Sequence, residues 1–259
     1  MTKHNKKLIN IADNRSLYTK YQRISAPSVI FIAGLGDNFE TWKKVQERIS
    51  DVTSTLSYTR AGIDRSSVAA VPQTCHDLVE ELSELLQELD VKKPYILVGH
   101  SFGGLIARLY ASLYPLDICG MILVDAAPEF KELAYEQVLP ENLVAGNREY
   151  LENPSLNSEN IDKMQSYKQI VDHTRQIDLP LTIIARGLPD SGEVGWPFQK
   201  ILEIEQNLQV EFKKLSTSSK FRIASHSGHY IHHDEPEIVI EEIIRMLKEI
   251  KNYLIDKNE

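Results

Sequence analysis

Cysteine is scarce in this chain: Cys75 and Cys119 are the only two in 259 residues. Their placement suggests neither a disulfide framework nor a metal site, and two reduced thiols are the expected state. Long basic runs are also missing. None exceeds Lys-Lys, and acidic residues outnumber basic ones 37 to 29, for a formal net charge of −8. Such a surface does little to neutralise phosphates, which argues against DNA or RNA as a partner. No apolar run approaches the ~20 residues of a membrane-spanning helix, and the polar start holds no stretch resembling a signal peptide. The chain therefore reads as soluble and cytoplasmic, with no membrane partner.

Apolar material is plentiful but broken into short pieces. Hydrophobic residues make up 42% and charged residues 25%, close to a globular average and sufficient for a sizeable core. The length suits a single large α/β domain with an insertion.

The short runs alternate in type. Alternation over 16–23 predicts a hairpin, and the apolar run 28–33 predicts a buried strand ending at Gly34-Leu35-Gly36-Asp37. Helical spacing over 39–49 puts Trp42, Val45 and Ile49 on one face. Strands are then expected at 55–59, 95–99, 121–124, 181–185 and 221–224, with helices at 75–89, 102–114, 198–215 and 234–255. Asp234, Pro236 and Glu237 supply the last helix with an N-cap, a first-turn proline and a capping-box acid. Apolar strands separated by helices imply a mostly parallel sheet covered on both faces. Residues 128–178 break this rhythm, with weak helical patterns at 131–138 and 161–174. They read as a small helical cap inserted after strand 6, the core being 1–127 and 179–259. Phe130, Tyr135, Tyr150 and Tyr167 are its candidate pocket aromatics, although aromatics on weak helices more often pack onto a core.

Gly99-His100-Ser101-Phe102-Gly103-Gly104 lies between an apolar strand and a helix, the context in which Gly-x-Ser-x-Gly forms a nucleophile elbow. A serine hydroxyl is useful there because a sharp, strained turn lifts it clear of the sheet toward a base. Such a turn leaves no room for side chains two residues either side. Backbone N–H donors for the oxyanion are expected from Phe102, at the helix start, and Leu35, in the first Gly-rich turn. His229, between the last strand and the last helix, is the candidate general base. His226, His232, His233 and Asp234 lie close by, but their spacing matches no familiar ligand pattern, and His232 and His233 are expected at the exposed entry of the last helix. No metal is expected. For the acid that orients His229, Asp125 and Asp190 both remain open, with Glu193 a weaker third. Asp190 lies beyond the strand at 181–185 in ordinary turn chemistry, whereas Asp125 ends an apolar strand, where an ionised carboxylate needs a partner. Asp125 is preferred.

In these segments the chain resembles the α/β-hydrolase superfamily, particularly bacterial carboxylesterase-like and prolyl-aminopeptidase-like members. The resemblance is carried by Ala33-Gly34-Leu35-Gly36 with Trp42, by Tyr58-Thr59-Arg60-Ala61-Gly62, by residues 95–110, by Leu123-Val124-Asp125-Ala126, and by Ser227-Gly228-His229-Tyr230-Ile231 with Asp234, Pro236 and Glu237. It implies an eight-stranded sheet of order 1-2-4-3-5-6-7-8, no metal or organic cofactor, and an acid after the sixth or seventh strand. Two departures stand out. Ile63-Asp64-Arg65-Ser66 replaces a common Tyr/Phe-Gly-x-Ser, and Ala33 stands where a histidine commonly precedes the oxyanion turn. The expected activity is hydrolysis of a small ester, thioester or amide, its small-molecule substrate, through an acyl-enzyme on Ser101. The alternatives are a hydrolase-fold ligand sensor with slow or no turnover and a cofactor-free perhydrolase. Epoxide hydrolase and dehalogenase chemistry are disfavoured, because those relatives carry a carboxylate in place of the serine.

Overall fold

The computed structural model describes residues 5–12, 14–192 and 194–256; Glu193 lies outside them. The chain opens with an antiparallel hairpin of β1 (Asn5–Asn10) and β2 (Ser16–Gln22). Then come β3 (Ser28–Ile32), a 3₁₀ turn at Phe39–Trp42 running into α1 (Lys43–Ile49), β4 (Thr55–Tyr58), α2 (Cys75–Glu88), β5 (Tyr95–His100), α3 (Gly103–Leu113) and β6 (Ile118–Val124). Three helices follow: α4 (Lys131–Tyr135), α5 (Glu141–Glu152) and α6 (Lys163–His173). The remainder is β7 (Ile177–Arg186), α7 (Phe198–Glu211), β8 (Ser216–Ala224), α8 (Ile231–Asp234) and α9 (Pro236–Asp256). The strands form one eight-stranded sheet in the order β1-β2-β4-β3-β5-β6-β7-β8, in which β2 pairs antiparallel with both β1 and β4 and the remaining pairs are parallel. This is the expected fold class and strand order.

Successive strand residues feed opposite faces, as the period of two requires. Ile30, Ile32, Leu97, Leu123 and Ile183 join a core beneath α2 and α3. Their neighbours Val29, Phe31, Val98, Ile122 and Ile184 join a second core with Trp42, α1 and α9. That double burial explains why the central strands read as unbroken apolar runs. A third, small cluster links α4 and the residues after it to α7 through Tyr135, Leu139 and Ile201.

Several boundaries differ from expectation for identifiable reasons. Helix α5 gave little sequence signal because it buries only Asn147 and Leu151 and carries Gly146 mid-helix. Strand β8 begins five residues earlier than its apolar end suggests; it is the sheet edge, where Ser, Thr and Lys remain partly exposed. Strand β7 begins at Ile177, just before the expected cap boundary, and its register shifts between Ile177 and Pro180, where an N–H donor is missing. Asp234 does not cap the last helix. The extra helical turn α8 ends on it, α9 starts at Pro236, and the Asp234 carboxylate instead accepts from Gly228 N–H (3.1 Å) and Ser227 Oγ (3.2 Å). His232 is likewise not exposed: it is fully buried, stacked on Trp42 with ring centroids 4.3 Å apart. Cys75 and Cys119 are both free thiols, the former buried.

Candidate active site

The carboxyl ends of β3, β5, β6 and β8 release four loops at one rim of the sheet, the usual crevice of an open α/β fold. Between β5 and α3 the backbone turns sharply at Ser101, whose φ is +51°, a left-handed conformation that non-glycine residues adopt at a cost. Ser101 N–H donates to Val124 O (3.2 Å), while its carbonyl accepts from Gly104 and Ala127 N–H (3.0 Å each). The flanking glycines have a steric reason. A Cβ on Gly99 would lie 2.5 Å from Gly103 O, and one on Gly103 would lie 2.4 Å from Ile32 O.

Beyond β6, Asp125 is buried with φ +40°. Its Oδ2 lies 2.6 Å from Nδ1 of His229, which is presented by the loop after β8. The other oxygen, Oδ1, accepts from Gln209 Nε2 (3.0 Å) and Arg186 N–H (3.3 Å), so the carboxylate is oriented from both sides. Asp190, the competing acid, pairs with the Arg186 guanidinium through a short contact and is not brought to His229. Ser101, His229, Leu35 and Phe102 all line one cleft of about 590 Å³. Phe102 sits at the N-cap of α3, where N–H groups lack intrahelical acceptors. Among the described residues neither its N–H nor that of Leu35 has a protein acceptor.

A family profile describing the alpha/beta hydrolase fold matches residues 27–179, spanning β3 to the start of β7. The Bacillus subtilis (strain 168) protein YqjL is 33% identical over 231 residues, covering 88% of this chain and 86% of YqjL. This chain belongs to the α/β-hydrolase-fold family. Solved structures share the fold at low identity. The esterase EaEST from Exiguobacterium antarcticum superposes with a TM-score of 0.64 at 17% identity, covering 94% of this chain and 100% of that one. Alpha/beta hydrolase domain-containing protein 10 from mouse gives 0.66 at 19%, covering 98% and 100%.

Around this hydrolase-fold crevice lie groups that sequence reading did not single out. Arg60, buried after β4, donates to Ala33 O (2.8 Å) and Gly34 O (2.5 Å), the turn that precedes Leu35. It is paired in turn with Glu159, from the segment between α5 and α6, at 2.6 Å. Glu159 Oε1 also accepts from Gly36 N–H at 2.6 Å. One carboxylate from the segment between α5 and α6 thus holds Gly36 directly and Gly34 through Arg60. Burial opposes the Arg60 charge, but Glu159 outweighs it and raises the pKa above the ordinary value. Arg60 could have been suspected as a buried arginine in an otherwise apolar strand-end segment; nothing in the sequence links it to Glu159, 99 positions on.

His100 is fully buried, and its Nε2 donates to His229 O (3.0 Å), supporting the loop that carries the candidate base. Burial, with His229 and His232 beside it, pushes its pKa well below the ordinary range and keeps the ring neutral. Its Nδ1 stands 3.7 Å from Asp37 Oδ2, whose pKa burial raises. His232 Nε2 and His233 Nε2 both contact Thr41 Oγ1, at 2.8 and 3.0 Å, while His226 is exposed. Among the described residues no three His, Cys, Asp or Glu side chains converge to hold an ion.

The wall of the cleft formed by α4, α6 and α7 is polar. Lys131 Nζ lies 2.7 Å from Glu205 Oε1, Glu205 Oε2 is 2.6 Å from Arg186 Nη2, and Arg186 Nε is 3.6 Å from Asp125 Oδ2. Burial opposes ionisation of both Lys131 and Glu205. Their mutual attraction, helped at Glu205 by Arg186, prevails: the Lys131 pKa is raised and that of Glu205 lowered. Tyr135, Tyr150 and Tyr167 line the cleft, whereas Phe130 packs edge-on against Tyr167 at 5.2 Å.

Proposed function

We propose that the protein is a serine hydrolase that cleaves a small ester, thioester or amide through an acyl-enzyme on Ser101. The observation that carries this reading is the 2.6 Å Asp125–His229 contact in the cleft that Ser101 also lines. With Nδ1–H donated to Asp125, His229 keeps Nε2 unprotonated and able to accept the serine proton. Ser101 Oγ then attacks the substrate carbonyl, and the tetrahedral oxyanion is stabilised by the N–H groups of Leu35 and Phe102. Collapse breaks the bond to the leaving group, which takes the proton back from His229, and a water molecule repeats the sequence to release the acid.

In this reading Asp125, not Asp190, is the orienting acid, because Asp190 is engaged with Arg186. Residues 128–178 serve as a cap that shapes the acyl pocket. Family membership supports a hydrolase, and no helix among the described residues is long and apolar enough to cross a membrane.

The test is labelling with a fluorophosphonate, followed by intact-mass measurement, beside turnover of short-chain and medium-chain p-nitrophenyl esters. Stoichiometric labelling and turnover in the native protein, both absent in Ser101→Ala, are expected. Labelling without multiple turnover on any ester would point to a ligand sensor instead. Equal rates in both proteins would sink the reading.

A further inference from the structure

We propose that the cleft takes an ester whose acyl part ends in a carboxylate, held at that far end by Lys131 and Lys163. This rests on the reading of Ser101 as the acylated residue. Two ion pairs line the cap side of the cleft, Lys131–Glu205 at 2.7 Å and Lys163–Glu132 at 3.1 Å. Both Lys163 and Glu132 are buried, with side-chain exposures of 5% and 3%. Desolvating such pairs is costly, and apolar residues of similar size often stabilise a fold as well or better. A wall built to receive an alkyl chain would be aliphatic.

The hydrogen-bonding capacity of this wall is unevenly spent. Glu205 Oε1 accepts from Lys131 and Tyr135, and its Oε2 from Arg186. Glu132 Oε1 accepts from Lys163, and the single Tyr167 hydroxyl proton is shared between its two oxygens, each 3.2 Å away. Both carboxylates are therefore engaged by donors within the wall. The ammonium groups are not: each carries three N–H donors, and each gives one to its carboxylate. Lys163 also lies over the Tyr150 ring, 3.4 Å from its centroid. Arg186 is already shared by Asp125, Asp190 and Glu205. What the wall still offers is lysine N–H, and the complementary group is an acceptor-rich anion. A singly charged carboxylate suits it better than a phosphate, whose second charge would meet Glu132 and Glu205 in the same wall.

The experiment is calorimetric titration of Ser101→Ala, which keeps the native wall and cannot consume the ligand. The probes are monomethyl esters of four- to seven-carbon dicarboxylic acids and methyl alkanoates of matching length. At least one hemiester is expected to bind about tenfold more tightly than its alkanoate partner, the scale of a charge-assisted hydrogen bond. Adding Lys131→Met or Lys163→Met should remove most of that preference, whereas Lys131→Arg, which keeps the charge, should retain it. Hemiesters that bind no better than alkanoates, including no detectable binding of either, would overturn the proposal. So would a preference that survives both methionine substitutions. Failure of the Ser101 reading is seen separately, in the labelling of the native protein.

Discussion

Asp125 and His229 stand 104 positions apart in the chain, yet Asp125 Oδ2 and His229 Nδ1 are 2.6 Å apart in the fold. Neither residue is arranged for the other locally. Asp125 is set by the left-handed turn after β6 and by the amide of Gln209, and His229 by a loop whose carbonyl is held by His100.

The contact separates the two candidate acids. Asp125→Asn should lower kcat by about 10⁴, the scale seen when such a histidine loses its orienting carboxylate. Asp190→Asn, which removes only a partly exposed charge paired with Arg186, should leave it within about threefold. Steady-state kinetics of the two variants decide, and the reverse ranking would transfer the role to Asp190.

Glu159 and Arg60 make a pair whose side chains are 0% and 1% exposed. Glu159→Gln still offers an acceptor to Gly36 N–H but leaves the guanidinium uncompensated, at a cost of about 3–5 kcal/mol. Thermal melts should show a drop of about 10 °C or more at this chain length. The double variant Arg60→Met/Glu159→Gln should recover part of it; identical melts for single and double variants would show that no buried charge had been stranded.

Gly103→Ala tests the steric basis of the elbow. The added methyl would press on Ile32 O at 2.4 Å and Ala33 O at 2.5 Å, both backbone atoms at the end of β3 where it leads into the Gly-rich turn at 34–36. A stability loss of about 1–3 kcal/mol is expected from overpacking, together with a fall in kcat. Urea unfolding beside the ester assay would reveal both, and an unchanged midpoint would refute the assigned contact.

Glu81 provides a pH test remote from the cleft. Burial raises its carboxyl pKa from 4.5 to about 7, against the opposing pull of Ala61 N–H, Arg60 and Arg15. The folded chain therefore keeps a proton that the unfolded chain has already lost between these values. Stability from this group is complete below pH 4.5, declines as pH rises to about 7, and is flat above. Glu81→Gln should raise the melting temperature at pH 8 and change it little at pH 4.5; an equal difference at both would mean that Glu81 is ionised throughout.

Much of the architecture was legible because strand burial leaves a one-dimensional trace. The central strands are covered on both faces and read as apolar runs, and Gly99, Ser101 and Gly103 mark a turn whose sterics are local. Helix α5 and the first half of β8 left no such trace, since one buries little and the other lies at the sheet edge. The polar ends of the last helix were legible in composition but not in detail, because Asp234 turned back to the His229 loop instead of capping α9.

The order of elements, the elbow around Ser101, and the placement of His229 in the last strand-end loop were determined by the sequence alone. They depend on periodicity and on near neighbours in the chain. Only the tertiary structure decided which aspartate meets His229, that Glu159 reaches across to Arg60 and to Gly36 just after Leu35, and that lysines face the cleft. Those relationships join residues far apart in sequence, and a side chain's partner is set by where the packed sheet and helices deliver it, which no local spacing encodes.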